Sequence, residues 1–124
     1  MVKNFNSEIF QEEVMQAIEK YKPFYEDDET RQKPSAPSKE AKKEAQKLLE
    51  RKDIRHYLCP ALQSISTDVY DIGKTIAVIL IPLALSKAIS IPLDPIIFGL
   101  MAIMISKMGI ASLCTDFPKE KAKD

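Results

Sequence analysis

A long apolar block at residues 72–114 limits what this chain can fold into more than any other feature. It consists of two apolar segments, at about 75–91 and 95–114, separated by the proline-containing turn 91–95. Beyond Lys74 the block contains three charged residues, which are Lys87, Asp94 and Lys107. Segments of this composition are apolar on every side and have to be buried, in lipid or in protein. The block therefore predicts a hairpin of two buried helices.

The lengths of the two segments favour a transmembrane hairpin. Segment 95–114 has 20 residues, and as a helix it would be about 30 Å long, which matches the hydrocarbon core of a bilayer. Segment 75–91 has 17 residues, which is near the lower limit, and Pro82 would kink it. Basic residues precede and follow the hairpin, whereas the turn contains no Lys or Arg. By the positive-inside rule, we expect a membrane localisation with both termini in the cytoplasm.

Small residues at helical spacing predict a packing seam on each helix of the hairpin. The predicted seam consists of Gly73, Ala77, Ala84 and Ala88 on the first helix and of Gly99, Ala102, Ser106 and Gly109 on the second. Small side chains let helix backbones approach closely, which is how membrane helices associate. Soluble helical hairpins use alanine seams as well, so the seam is compatible with both environments.

Two lysines within the hairpin fit a lipid environment less well. Lys87 and Lys107 are predicted intramembrane charges, and helical side chains lean toward the N-terminus of their own helix. In the predicted topology this direction turns both lysines toward the middle of the bilayer. Ionisable residues inside a membrane indicate a functional site. We therefore expect either a polar lumen formed by several hairpins or a hairpin buried in protein.

The rest of the chain is predicted to be helical and charged, which gives an all-α protein. Its segments are an amphipathic helix at 1–23, an acidic and Pro-rich linker at 24–38, a charged helix and bridge at 39–71, the apolar hairpin at 72–114 and a charged tail at 115–124. The first helix has an apolar stripe at Phe10, Val14, Ile18 and Tyr21 and is expected to end at Pro23. Ser38 is the expected N-cap of the charged helix.

Three patterns that resemble chemical motifs do not meet the requirements of those motifs. Gly73-Lys74-Thr75 resembles the end of a phosphate-binding loop, but the required earlier glycine is replaced by Asp68. His56 and Cys59 have the spacing of metal ligands on a helix, but no second pair exists. The acids at 26–29 are consecutive and cannot converge on a calcium ion. We therefore predict no enzyme activity, no catalytic residue, no metal site and no cofactor.

Charge and cysteine content restrict the possible partners. The chain has 18 basic and 18 acidic residues, a balance that does not favour nucleic-acid binding, and we expect no small-molecule substrate. Cys59 and Cys114 do not have the spacing of a disulfide framework, so reduced thiols are expected. The N-terminus shows no secretory signal.

These features predict a small, non-catalytic, membrane-anchored interaction or effector protein. Its expected partners are the lipid bilayer and either further copies of itself or a protein bound through the N-terminal helix. Oligomerisation would then perturb or permeabilise the membrane. In size and layout the chain resembles holins and small two-span membrane-active toxins, and no motif assigns it to either family. The alternative is a soluble all-helical adaptor whose apolar hairpin is buried in a homo-oligomer or in a larger complex.

Overall fold

The computed structural model describes residues 6–25, 36–65 and 68–115. Of these residues 79% are helical and none forms a strand, so the predicted all-α class is confirmed. The helices of the described ranges are α1 (Ser7–Tyr25), α2 (Lys39–Glu50), α3 (Lys52–Leu62), α4 (Val69–Leu85), α5 (Pro95–Met108) and α6 (Ile110–Leu113). Most of the predicted acidic linker and nearly all of the predicted charged tail lie outside the described residues.

Helix α5 is the central helix of the fold. It contacts α1, α2, α4 and α6. Seven consecutive residues, from Ile97 to Ile103, are buried, so every side of this helix is covered by protein. An α-helix that is apolar all round is buried either in a membrane or in the core of a protein. Here other helices of the same chain cover it.

The prediction of a transmembrane hairpin is not supported. None of the helices in the described ranges is both long enough and apolar enough to cross a membrane. The first segment of the hairpin forms a helix at Val69–Leu85 rather than 75–91, and the second is divided into α5 and α6 at Gly109. Gly109 has a φ of 93°, a conformation that a residue with a Cβ rarely adopts.

Helix α1 lies across α4 and α5 and buries its apolar stripe against them. The side chain of Asn6 accepts hydrogen bonds from the backbone N–H groups of Glu8 (3.0 Å) and Ile9 (3.1 Å), which caps the first turn. The ring of Phe10 meets the ring of Phe98 edge to face, with centroids 5.1 Å apart. The helix continues through Pro23 to Tyr25, because a proline in the last turn removes one backbone hydrogen bond without breaking the helix.

Arg51 joins helices α2 and α3 to the connection between α4 and α5. Ser38 caps α2 as predicted, and its hydroxyl accepts from the N–H of Ala41 at 3.1 Å. Arg51 ends α2, donates two hydrogen bonds to the carboxylate of Asp53 (3.0 and 2.7 Å), and donates a third to the carbonyl of Ser90 at 2.9 Å. This planar guanidinium therefore holds the chain between α4 and α5 against the α2–α3 junction.

Helix α4 ends earlier than the apolar pattern predicts because of a backbone motif around Lys87. Lys87 has a φ of 68°. Its N–H donates to the carbonyl of Ala84 (3.1 Å), and the N–H of Ala88 donates to the carbonyl of Leu83 (2.9 Å). These are the two hydrogen bonds of a Schellman motif, which is usually built with glycine. The apolar sequence continues past this point, but the helix does not.

A disulfide joins α3 to the residue that follows α6. Cys59 and Cys114 are bonded, with their Cα atoms 5.8 Å apart, and both are buried. The expectation of reduced thiols was therefore wrong. It relied on the separation of 55 residues along the chain, whereas the fold determines which residues approach one another.

Candidate functional site

The outward side of the second half of α4 is an exposed apolar surface, which we call the outer α4 face. It is formed by Val78, Pro82 and Leu85, at spacings of four and three residues that place them on one side of a helix. Val78 is 53% exposed and Leu85 is 43% exposed. Large contiguous apolar patches on a folded protein mark interaction sites, whereas isolated exposed apolar residues are common. Three such residues on one helix side form a contiguous strip.

Basic residues border the outer α4 face at both ends. Lys74 lies one turn before Val78 and Lys87 follows Leu85, and both lysines are exposed. Ile79 and Leu83 lie beside the face, partly buried against the core. The face therefore offers an apolar centre with positive charge at its rims.

The residues of the predicted packing seam are distributed between the interior and the surface. Gly73 and Gly99 are buried against α1, where an added Cβ would lie 2.7 Å from Cδ1 of Ile18 and 2.8 Å from Cβ of Ala17, respectively. Ala77 and Ala102 are fully buried. The other members of the set are more accessible, with Ala84, Ser106 and Gly109 partly buried and Ala88 exposed. The two buried glycines thus receive helix α1 of the same chain.

Lys87 and Lys107 do not lie in the interior. Both are exposed, and the described part of the chain contains no buried charged side chain. Their position near helix ends, outside the apolar core, places each ammonium group in solvent, where its charge costs little.

A cavity between α2 and the end of α5 is the second feature with functional potential, and we call it the α2–α6 cavity. Its volume is about 700 Å³, within the range of ligand sites in proteins. Its charged lining residues are Lys42, Glu50, Arg55 and Lys107. Its apolar lining residues are Leu49, Met104, Met108 and Leu113. Tyr25, Gln46 and Ser112 complete the lining.

Two interactions hold the walls of this cavity in place. Arg55 donates to the backbone carbonyls of Leu113 and Glu50, both at 3.4 Å. The disulfide of Cys114 fixes the residue next to Leu113 to helix α3. The short helix α6 is therefore anchored at its end by a covalent bond and by a guanidinium group.

Tyr25 is one of the neutral polar residues that line the cavity. Its hydroxyl is buried and has no hydrogen-bond partner among the described residues, and burial raises the pKa of the phenol. The group therefore stays protonated and can donate a hydrogen bond. Sequence reasoning missed this site because the lining comes from five helices, and no short-range spacing brings Tyr25, Lys42 and Lys107 together.

His56 and Cys59, which have the spacing of metal ligands, do not act together in the described structure. Cys59 is in the disulfide, so it is not available to His56 as a metal ligand. The ring of His56 lies edge to face with that of Tyr57, with centroids 5.6 Å apart. Within the described residues, no group of three His, Cys, Asp or Glu side chains is placed to hold a metal ion.

Comparison of the chain with known protein families, with curated proteins and with solved structures gives no match.

Proposed function

We propose that this chain is a non-catalytic interaction protein that binds through the outer α4 face, and that its simplest partner is a second copy of itself. The observation that carries the proposal is the exposure of Val78 and Leu85, 53% and 43%, on one side of a helix whose other side is fully buried. Two copies related by a two-fold axis would each present the same face to the other.

The N-terminal helix has a smaller part in this proposal than its sequence pattern suggests. The stripe of α1 that includes Val14 and Ile18 is buried against α4 and α5. Of its large apolar side chains, Ile9 is exposed, at 52%. The surface of α1 that remains for a partner is therefore mainly charged, and the outer α4 face is the stronger candidate.

Measuring the oligomeric state of variants tests the proposal. Analytical ultracentrifugation of the wild-type chain should show a concentration-dependent dimer. Val78→Glu and Leu85→Glu should give a monomer, because a dimer would bury the new carboxylate without a partner. Ile9→Glu is the matched control, since it introduces the same charge at an equally exposed apolar position on α1. A dimer that persists in the two α4 variants and dissociates in the control would refute the assignment of the face.

The second candidate is a membrane-associated effector, and the lysines beside the outer α4 face favour it. An apolar strip with Lys74 and Lys87 at its ends suits the surface of an anionic bilayer, where each nearby Lys contributes about 1 kcal/mol. In the stronger form of this proposal, α4 and α5 leave the fold, insert as a hairpin with both termini in the cytoplasm, and oligomerise to permeabilise the membrane. The disulfide counts against this cytoplasmic location of the termini, because Cys59 and Cys114 flank the hairpin and disulfides are rare in the reducing cytosol.

Vesicle flotation followed by a carbonate wash separates these forms. Binding to vesicles of phosphatidylcholine with phosphatidylglycerol, followed by release in carbonate, would support surface association through the outer α4 face. Retention after carbonate would support insertion, and dye release that is lost in Lys107→Leu would support a polar lumen. A chain that does not float with these vesicles would exclude both membrane forms.

A further inference from the structure

We propose that the α2–α6 cavity is a binding site for a small amphipathic anion, a carboxylate with an unbranched apolar tail. The site is separate from the outer α4 face and goes beyond the proposed interaction function. It involves a bound ligand rather than a substrate.

The charge of the lining favours an anion. Three basic side chains, Lys42, Arg55 and Lys107, line the cavity together with a single acid, Glu50. Among the described residues, neither Lys42 nor Lys107 has a carboxylate within ion-pair distance. The ammonium group of Lys42 lies 5.3 Å from the centroid of the Phe24 ring, the residue before Tyr25 in α1. A carboxylate between these groups would receive charge-assisted hydrogen bonds.

A second cavity of the fold has the opposite charge. It measures about 520 Å³ and is lined by Glu40, Glu44 and Asp94 without any basic residue. The basic character of the α2–α6 cavity is therefore a local property and not a consequence of the overall charge of the chain, which is zero.

The apolar lining favours a flexible chain over a ring. Leu49 and Leu113 are buried in the cavity wall, and Met104 and Met108 also line the cavity. Met108 is 46% exposed, which is high for an apolar side chain at a cavity. Methionine is unbranched and polarisable and adapts its shape to a ligand. Since Tyr25 is the one aromatic residue in the lining, the cavity offers no pair of rings between which a base or another planar group would stack.

Tyr25 provides a directional contact for the anion. Its buried hydroxyl has no hydrogen-bond partner among the described residues, and an unsatisfied buried donor is unfavourable. Because this hydroxyl is buried, the Tyr25 side chain would have to turn toward the cavity for a ligand oxygen to accept its hydrogen bond, and that contact would remove the penalty. The group of Tyr25, Lys42 and Lys107 is thus the expected position of the carboxylate, with the tail against the apolar lining residues.

Isothermal titration calorimetry of the full, disulfide-bonded chain tests the proposal, with dodecanoate below its critical micelle concentration as the probe. Dodecanoate should bind at one saturable site. Dodecanol should bind at least tenfold more weakly because it lacks the charge, and acetate should not saturate because it lacks the tail. Equal affinity for dodecanoate and dodecanol, or no saturation by dodecanoate, would overturn the proposal.

Variants then locate the site. Lys42→Gln and Lys107→Gln should each weaken dodecanoate binding about tenfold, whereas Lys47→Gln, on the same helix as Lys42 but outside the lining, should not change it. Tyr25→Phe should weaken binding without lowering the melting temperature, since it removes a hydroxyl that makes no hydrogen bond in the described structure. Thermal unfolding verifies that each variant is folded. An equal loss of affinity in Lys47→Gln would refute the location.

Two further measurements separate this site from a lipid surface and from the outer α4 face. Dodecanoate should bind without vesicles, and Lys107→Gln should leave flotation with phosphatidylglycerol vesicles unchanged. Val78→Glu should abolish self-association but retain dodecanoate binding. If vesicles bind and free dodecanoate does not, the ligand site is wrong while the membrane proposal remains; if Val78→Glu abolishes dodecanoate binding, the ligand site has been assigned to the wrong surface.

Discussion

The inner and outer sides of helix α4 have similar apolar residues and opposite surroundings. On the inner side Ile72, Ile76 and Leu80 have no exposed surface, whereas on the outer side Val78 and Leu85 are 53% and 43% exposed. Both sides carry branched aliphatic residues that favour burial by about 1.5–3 kcal/mol each. The difference comes from the position of the neighbouring helices, since α1, α3 and α5 pack on α4 and leave its remaining side open.

This contrast shows what an apolar sequence specifies. An apolar sequence specifies that a surface is more stable when it is removed from water, but it does not specify which other surface covers it. For the inner side the covering surface is the rest of the chain. The outer side stays exposed in the described structure, and the proposed partner or bilayer would cover it. The following predictions test the two sides in order of expected effect.

The largest effect is expected from removal of the buried disulfide, which joins α3 to the residue after α6. The double variant Cys59→Ser/Cys114→Ser should lower the free energy of unfolding by about 4 kcal/mol, because the bond closes a loop of 55 residues in the unfolded chain. Urea denaturation of the wild-type chain with and without reductant measures the same quantity. A midpoint that does not change on reduction would show that the bond does not form in solution.

Truncation of one residue on each side of α4 tests the comparison directly. Ile76→Ala should destabilise the fold by about 3 kcal/mol, because it leaves a cavity in the packed core. Val78→Ala should change stability by less than about 0.5 kcal/mol, because the side chain is already in solvent. Thermal unfolding of the monomer at low concentration measures both values. Similar losses in the two variants would mean that the outer face is covered by an interface even at that concentration.

A matched pair of glycine substitutions tests how closely α1 lies against the hairpin. Gly99→Ala should cost about 1–3 kcal/mol, because its Cβ would lie 2.8 Å from Cβ of Ala17 and 3.3 Å from the carbonyl oxygen of Val14, neither of which can move without the α1 backbone.

Gly73→Ala is the control for Gly99→Ala. Its Cβ would meet Cδ1 of Ile18 at 2.7 Å, and that flexible end can turn away. Alanine also gains up to about 1 kcal/mol of helix propensity over glycine, so stability should stay within about 0.5 kcal/mol of the wild type. Chemical denaturation compares the two variants, and an equal loss in both would contradict the close approach at Gly99.

The smallest effect is expected at the end of α4, where Lys87 occupies a left-handed conformation. Lys87→Gly should stabilise the chain by about 0.5–1 kcal/mol, because glycine adopts this conformation without the strain that a Cβ causes. Part of the gain is offset, because glycine also has more conformational freedom in the unfolded state. Lys87→Ala is the control, since it removes the charge and keeps the Cβ. Differential scanning calorimetry should show a higher melting temperature for the glycine variant alone.

Local features of the sequence predicted the helices better than their ends or their environment. The stripe of α1 at Phe10, Val14, Ile18 and Tyr21 is buried as its spacing requires, and Ser38 caps α2 as expected. The end of α4 was missed because Lys87 carries no glycine signal. The disulfide and the α2–α6 cavity were missed because their residues come together through packing alone.

The sequence by itself determined that this chain is helical and that the apolar residues at 72–114 favour burial, because periodicity, capping residues and apolar content act over a few turns. The tertiary structure decided what buries them. Helix α1 fits against Gly73 and Gly99, and α5 becomes the central helix of the fold, in contact with α1, α2, α4 and α6. A bilayer and a protein core present the same apolar surroundings to a helix, so composition alone does not distinguish them. The packing of the other helices shows which of these residues the chain itself covers.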